Sequence, residues 1–285
     1  MGRGTGEIAR GVIAVLAATC LGALPGPASA ARAQGRPAAP RHTPAAGSAR
    51  AAGAVYPEFR RADGTTNRWL SDQMPLKVYV SHGLAIDGFI DEQLGAPIAN
   101  TSNVAAWPDL AASILSTPGQ FKSLPVAQGY TEEQYAAAVQ GISMWKPLER
   151  EGLFSYVLTS DPDADIYVFW VHHFVDRSGM ALFAGDIRGY TSMTVFPYRQ
   201  VMAGGKADFK PVVIMLRTTE SNGVPMPAPK MRASAAHEFG HALGIANHSR
   251  NPVDLMSIYY GYGVVSPNDA ATMRYLYHLV PDYIP

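Results

Sequence analysis

Cysteine is almost absent: the 285 residues hold one, Cys20. It falls in an N-terminal stretch that reads as removed on export, so the rest of the chain has no thiol with which to form a disulfide. A surplus of charge is missing too, since 23 Lys and Arg are balanced by 23 Asp and Glu. That balance gives nucleic acid and anionic lipid nothing to attract them, and neither is expected as a partner. After the first 30 residues no apolar run is long enough to cross a bilayer. There is no internal repeat, no binding module is expected after Pro285, and a monomer is expected.

Arg3 and Arg10, an apolar run over residues 11–24 and small residues and prolines over 25–30 read as a secretory signal peptide, residues 1–30. The mature chain is therefore expected outside the cytoplasm, extracellular or periplasmic. A lipid anchor on Cys20 is the rival reading, but Thr19 precedes it and the apolar run continues past it. Residues 31–70 read as a disordered Ala/Pro/Arg-rich arm or a short pro-segment. Within it Tyr56, Phe59 and Trp69 bring aromatics back, so its second half either packs on the domain or acts as the pro-segment. Residues 71–285 suffice for one domain with a sizeable core.

Leu76-Lys77-Val78-Tyr79-Val80 alternates after a proline and predicts a first strand. Residues 83–128 read as an irregular insertion with one short helix. Thr131-Glu132-Glu133-Gln134 is a capping box, and Tyr135, Val139, Ile142 and Trp145 behind it recur at helical spacing, predicting a long amphipathic helix packed on a sheet. Further strands are predicted over 154–158, 164–171, 191–196 and 212–216. The class is α+β, with a sheet of about five strands. Residues 191–196 are the favoured sheet edge, because Pro197 directly after them suits an edge.

The stretch that organises the chain is His237-Glu238-Phe239-Gly240-His241-Ala242-Leu243-Gly244-Ile245-Ala246-Asn247-His248. It reads as H-E-x-x-H-x-x-G-x-x-H, the extended zinc-protease signature. Residues four apart share one face of a helix, so His237 and His241 can offer two nitrogens to one metal. Gly244 can end the helix in the left-handed conformation and let the chain return with His248. Three protein nitrogens make the open arrangement of a catalytic zinc rather than the closed one of a structural zinc, and Glu238 is placed as general base. One zinc ion is the expected cofactor. Asp161, Asp163 and Asp165 alternate through a turn and could take calcium, though without a defined loop pattern.

Past His248 come Ser249, then Met256, then Tyr260. Together with the histidine stretch these resemble the matrixin branch of the metzincin zinc metalloproteases. Ala164-Asp165-Ile166 resembles that family's A-D-I strand, and Val265-Ser266-Pro267-Asn268-Asp269 resembles the start of its last helix. The resemblance implies a twisted mixed sheet with a long packing helix, an active-site helix, a Met-turn at Met256 beneath the metal and a C-terminal helix. It also implies endopeptidase activity on protein or peptide substrates, with a pocket floored by Ala233 and walled by Ile258, Tyr259 and Tyr260. An uncharged slot favouring large apolar residues after the cut is expected from those side chains. Once the signal peptide is removed no cysteine is left to cap the metal as in animal matrixins, and His172, His173 and Asp176 lack the spacing of their second zinc site. Adjacent on a strand, His172 and His173 are expected on opposite faces. Two other functions remain: an exported zinc-binding envelope or adhesion protein without proteolysis, and a zinc hydrolase of a non-protein amide.

Overall fold

Two uninterrupted apolar runs mark the centre of the fold. Ile166–Val171 and Val212–Arg217 are buried at every position, the pattern of strands covered on both faces. The computed structural model describes residues 53–86, 90–91, 96–97, 107–116, 121–174, 183 and 187–285. The signal-peptide reading, Cys20, the first part of the arm and Asp176 lie outside these. In chain order the strands are β1 (Leu76–Val80), β2 (Ile90–Asp91), β3 (Ala96–Pro97), β4 (Tyr156–Thr159), β5 (Ile166–Val171), β6 (Gly189–Ser192), β7 (Phe196–Pro197), β8 (Val212–Arg217) and β9 (Tyr283–Ile284). The helices are α1 (Trp107–Ser116), α2 (Glu132–Ser143), α3 (Lys146–Glu149), α4 (Tyr198–Met202), α5 (Ala228–Ala242) and α6 (Pro267–His278). Among the described residues no helix is long and apolar enough to cross a membrane.

Five strands form one mixed sheet in the order β4-β1-β5-β8-β6. The first four run parallel, and β6 closes the edge antiparallel to β8. Alternation along the two central strands divides the core. Ile166, Val168, Trp170, Val212, Ile214 and Leu216 meet one cluster with α2 and α5. Tyr167, Phe169, Val171, Val213 and Met215 meet a second, filled by Trp107, Leu110 and Ile114 of α1. The short helix expected within the insertion thus covers the sheet's other face. The strand expected over 191–196 is two pieces. Its beginning belongs to the edge strand β6, while Phe196 and Pro197 leave the sheet and pair with β9. Pro197 therefore does not mark this edge.

The capping box at Thr131 is present, with Thr131 Oγ1 accepting from the Gln134 N–H. The buried face of α2 differs from the one predicted. Gln134, Ala137, Ala138, Gly141 and Ile142 are buried, whereas Tyr135 and Val139 lie at its margin. The reason is close packing against α5: a Cβ on Gly141 would stand 2.3 Å from the Arg232 carbonyl oxygen. Small residues permit an approach that the larger apolar residues would hold off. Trp145 fills the core and donates from Nε1 to the Ala236 carbonyl at 2.8 Å.

The segment 56–69 joins the same core, with Tyr56, Phe59 and Trp69 buried. It also braces the end of α5. Trp69 Nε1 donates to the Ala242 carbonyl at 2.8 Å, and the Ala246 N–H donates to the Phe59 carbonyl at 2.9 Å. Residues 66–68 in turn are held by Asp282 and Tyr283.

Candidate metal centre

Helix α5 carries His237, Glu238 and His241, and Leu243 ends it. The next residue, Gly244, has φ 119°, a conformation that strains any side chain, and a Cβ there would also stand 2.4 Å from the Asn67 carbonyl oxygen. The chain then doubles back and delivers His248. Three residues separate Gly244 from His248, one more than in the extended signature as it is usually written. The sequence reading passed over that difference. The turn absorbs the extra residue: Asn247, which holds the usual third-histidine position, donates from Nδ2 to the Arg60 carbonyl at 2.6 Å.

His237, His241 and His248 are the only group of three or more potential ligands that the described residues bring together, with donor atoms within 4.8 Å of one another. His237 and His241 are fixed from behind. The Nδ1 of His237 lies 2.7 Å from the Leu255 carbonyl oxygen and that of His241 2.6 Å from the Ile245 carbonyl oxygen. A carbonyl only accepts, so each Nδ1 carries its hydrogen and, in the neutral rings, each Nε2 bears a lone pair. Those two Nε2 atoms stand 3.1 Å apart. Facing lone pairs repel unless a proton or a cation lies between them. Two nitrogens on a tetrahedral zinc, each about 2.0–2.1 Å from it, are about 3.3 Å apart. The donor set therefore fits a zinc-like ion. Burial pushes His237 well below the ordinary histidine pKa and His241 down to about 3, each helped by a neighbouring imidazole. Desolvation lowers His248 as well, although much of its surface is exposed.

Glu238 is 3% exposed. Burial pushes its pKa up to about 8, and a hydrogen bond from Thr191 works against that shift. Thr191 Oγ1 stands 2.8 Å from Oε2 and 2.9 Å from the Glu238 carbonyl, linking the acid to edge strand β6. Gly189 on the same strand allows the approach, since a Cβ there would meet the Glu238 side chain at 2.6–2.9 Å. The sequence places Thr191 on the expected edge strand but gives neither it nor Gly189 a part at the acid.

Met256 is fully buried against α5, where a Cβ on Gly240 would stand 2.4 Å from its sulfur. Its turn is held by the buried Asp269 carboxylate, which accepts from the Leu255, Met256 and Ser266 N–H groups and the Tyr56 hydroxyl. Burial raises the Asp269 pKa against those hydrogen bonds. Asp254, also buried, accepts from the Ser249 and Ser266 hydroxyls. Sequence reasoning required supporting groups of this kind without identifying them.

A cleft of about 730 Å³ opens over Glu238, His241 and His248, bounded by β6 on one side and by Ile258, Tyr259 and Tyr260 on the other. Tyr260 has φ 59°, rare outside glycine, and its ring lies 4.4 Å from that of His237. Ala233 is not among the lining residues. It is buried, and Gly263 lies so close above it that a Cβ there would be 3.1 Å away. A cavity of about 840 Å³ elsewhere is lined by Phe209, Met202 and the turn 161–165 and contains none of the histidines. In that turn the Asp163 carboxylate pairs with Lys77, Asp165 accepts from the Lys77 N–H and Asp161 from the Asp163 N–H. His172 and His173 lie past the end of β5, where strand alternation no longer applies. Contrary to expectation their rings meet, 4.2 Å apart, and both approach the Thr219 hydroxyl. No known protein family matches the chain, and no curated protein matches it.

Proposed function

We propose that the protein is a secreted zinc-dependent endopeptidase of the metzincin kind, resembling the matrixins. The observation that carries this reading is the pair of Nε2 lone pairs held 3.1 Å apart on the helix face next to a buried glutamate. His237, His241 and His248 would hold the ion, which when bound supplies Lewis acidity and lowers the pKa of water. Glu238 takes a proton from the attacking water and returns it to the leaving amine. Thr191 fixes one carboxylate oxygen, leaving the other for this work. The free side of β6 gives an extended peptide main-chain partners along the cleft, the mode of strand addition. Ile258, Tyr259 and Tyr260 wall the place where a substrate side chain enters.

The test is hydrolysis of casein by purified protein with and without a chelator, beside elemental analysis. About one zinc per chain is expected, with activity lost on chelation. His241→Ala and His248→Ala should lose metal and activity together. Glu238→Ala should keep the metal and lose hydrolysis by orders of magnitude. Full zinc in the His248 variant would remove that ligand and the metzincin reading. Bound zinc with no hydrolysis of any peptide would leave a zinc-binding exported protein or an enzyme for another amide.

A further inference from the structure

Two guanidinium groups line the cleft without a part in the hydrolysis just described. Arg61 comes from the N-terminal segment and Arg188 from the residue before β6, and both border the space with Glu238, His241 and His248. The Arg188 guanidinium carbon lies 5.0 Å from the Tyr260 ring centroid, and that ring is 4.4 Å from His237. Those two steps put the cation within about three residues of the metal-binding ring along an extended peptide, at about 3.3 Å per residue. Among the described residues no carboxylate pairs with Arg188, and no hydrogen bond uses its guanidinium. Arg61 lies near the exposed Asp63 carboxylate, while its guanidinium is 5.3 Å from the Tyr283 ring and its buried Nε has no hydrogen-bond partner. Among the described residues the one carboxylate lining the cleft is Glu238, and it is engaged by Thr191.

A cation over an aromatic ring is held by electrostatics rather than by hydrogen bonds, so the Arg188 N–H groups still have acceptors to find. Those groups form the planar fork that matches a carboxylate. A half-buried cation with no counter-ion among the described residues is a group that an anionic ligand relieves, and a neutral ligand does not. We propose that Arg188, assisted by Arg61, selects peptides bearing a carboxylate near the cleaved bond. This rests on the peptide-hydrolysis reading and revises the uncharged slot expected from sequence. The carboxylate comes either from an Asp or Glu side chain or from a free C-terminus.

The experiment uses zinc-loaded protein and peptides matched except for Glu or Gln at each of three positions on either side of the cut. A further pair differs only in a free or amidated C-terminus. The Glu peptide should exceed its Gln twin in kcat/KM on the order of tenfold at one position. That ratio should fall toward one in Arg188→Gln, recover in part in Arg188→Lys and shrink with added salt. A response confined to the free-acid and amide pair would assign the chain terminus as the carboxylate. No preference in the wild type, or one that survives Arg188→Gln, overturns the proposal. A binding arm separates its failure from that of the enzyme reading, with the same peptides titrated onto Glu238→Ala protein with and without Arg188→Gln. Arg188-dependent binding of the acidic peptide, with no cleavage by wild type, would sink the peptidase and leave Arg188 its role. Cleavage without the acidic preference would do the reverse.

Discussion

Thr191 and Gly240 show what single side chains decide in this site. Thr191→Val keeps the shape and removes the hydroxyl that reaches Glu238 Oε2. Zinc content should hold while kcat/KM drops about tenfold, and Thr191→Ser should retain most activity; loss of zinc in the valine variant would mean a structural role instead. Gly240→Ala favours the helix by about 1 kcal/mol. Its Cβ, however, would lie 2.4 Å from the Met256 sulfur and 2.8 Å from the Trp145 ring. Overpacking of that kind costs about 1–3 kcal/mol, so a lower urea midpoint is expected, and an unchanged one would show that Met256 moves freely. Residues four apart on a helix declare themselves in sequence, which is why His237, His241 and Glu238 were legible. Thr191 lies on another element, and only folding of the sheet brings it to the acid.

The turn after His248 and helix α6 act as one element. Ser266 caps α6 and its box partner Asp269 is readable from the sequence, but the same carboxylate also collects the Leu255 and Met256 N–H groups. Asp269→Ala would leave three backbone donors and the Tyr56 hydroxyl unpaired in the core. A loss of about 3 kcal/mol or more in unfolding free energy is expected, with weaker zinc retention, because the Leu255 carbonyl that orients His237 sits on the loosened turn. Unchanged stability would show that water replaces the carboxylate. The buried face of α2 was misread for a related reason. Apolar period marks the large residues, whereas contact with α5 is made through Ala137, Ala138 and Gly141. Thr191 and Ser192 do belong to the edge strand, but the expected strand breaks before Phe196, because Pro197 belongs to a ladder with β9, a partner far along the chain.

At the scale of the molecule, opposing titrations meet in the metal-free protein. The folded state holds His237, His241 and His248 below the ordinary histidine pKa of about 6.5, so in that range it binds fewer protons than the unfolded chain. Their stability is present above about 6.5 and is lost as pH falls toward about 3, the value for His241. Glu238, raised to about 8, binds more protons folded than unfolded, so its contribution is lost as pH rises from the ordinary carboxylate range toward 8. Urea midpoints of chelated protein at about pH 7 and about pH 5 separate the two. Glu238→Gln should lose more stability on acidification than wild type, and His241→Asn less. Equal pH dependence in all three would mean that these groups are not buried together in the absence of metal.

The order in which the chain is made bears on when the centre can work. His248 lies on a turn that leans on Phe59 and Arg60, and residues 66–68 of that same segment depend on Asp282 and Tyr283. All three histidines are synthesised before those two residues exist. A growing chain thus holds every metal ligand while the brace behind the third is still unlatched, and β9 is the clasp that fastens it. A chain that stops short of residue 283 would therefore carry the whole ligand set on an unfastened turn, and His248 is the ligand it would hold least well.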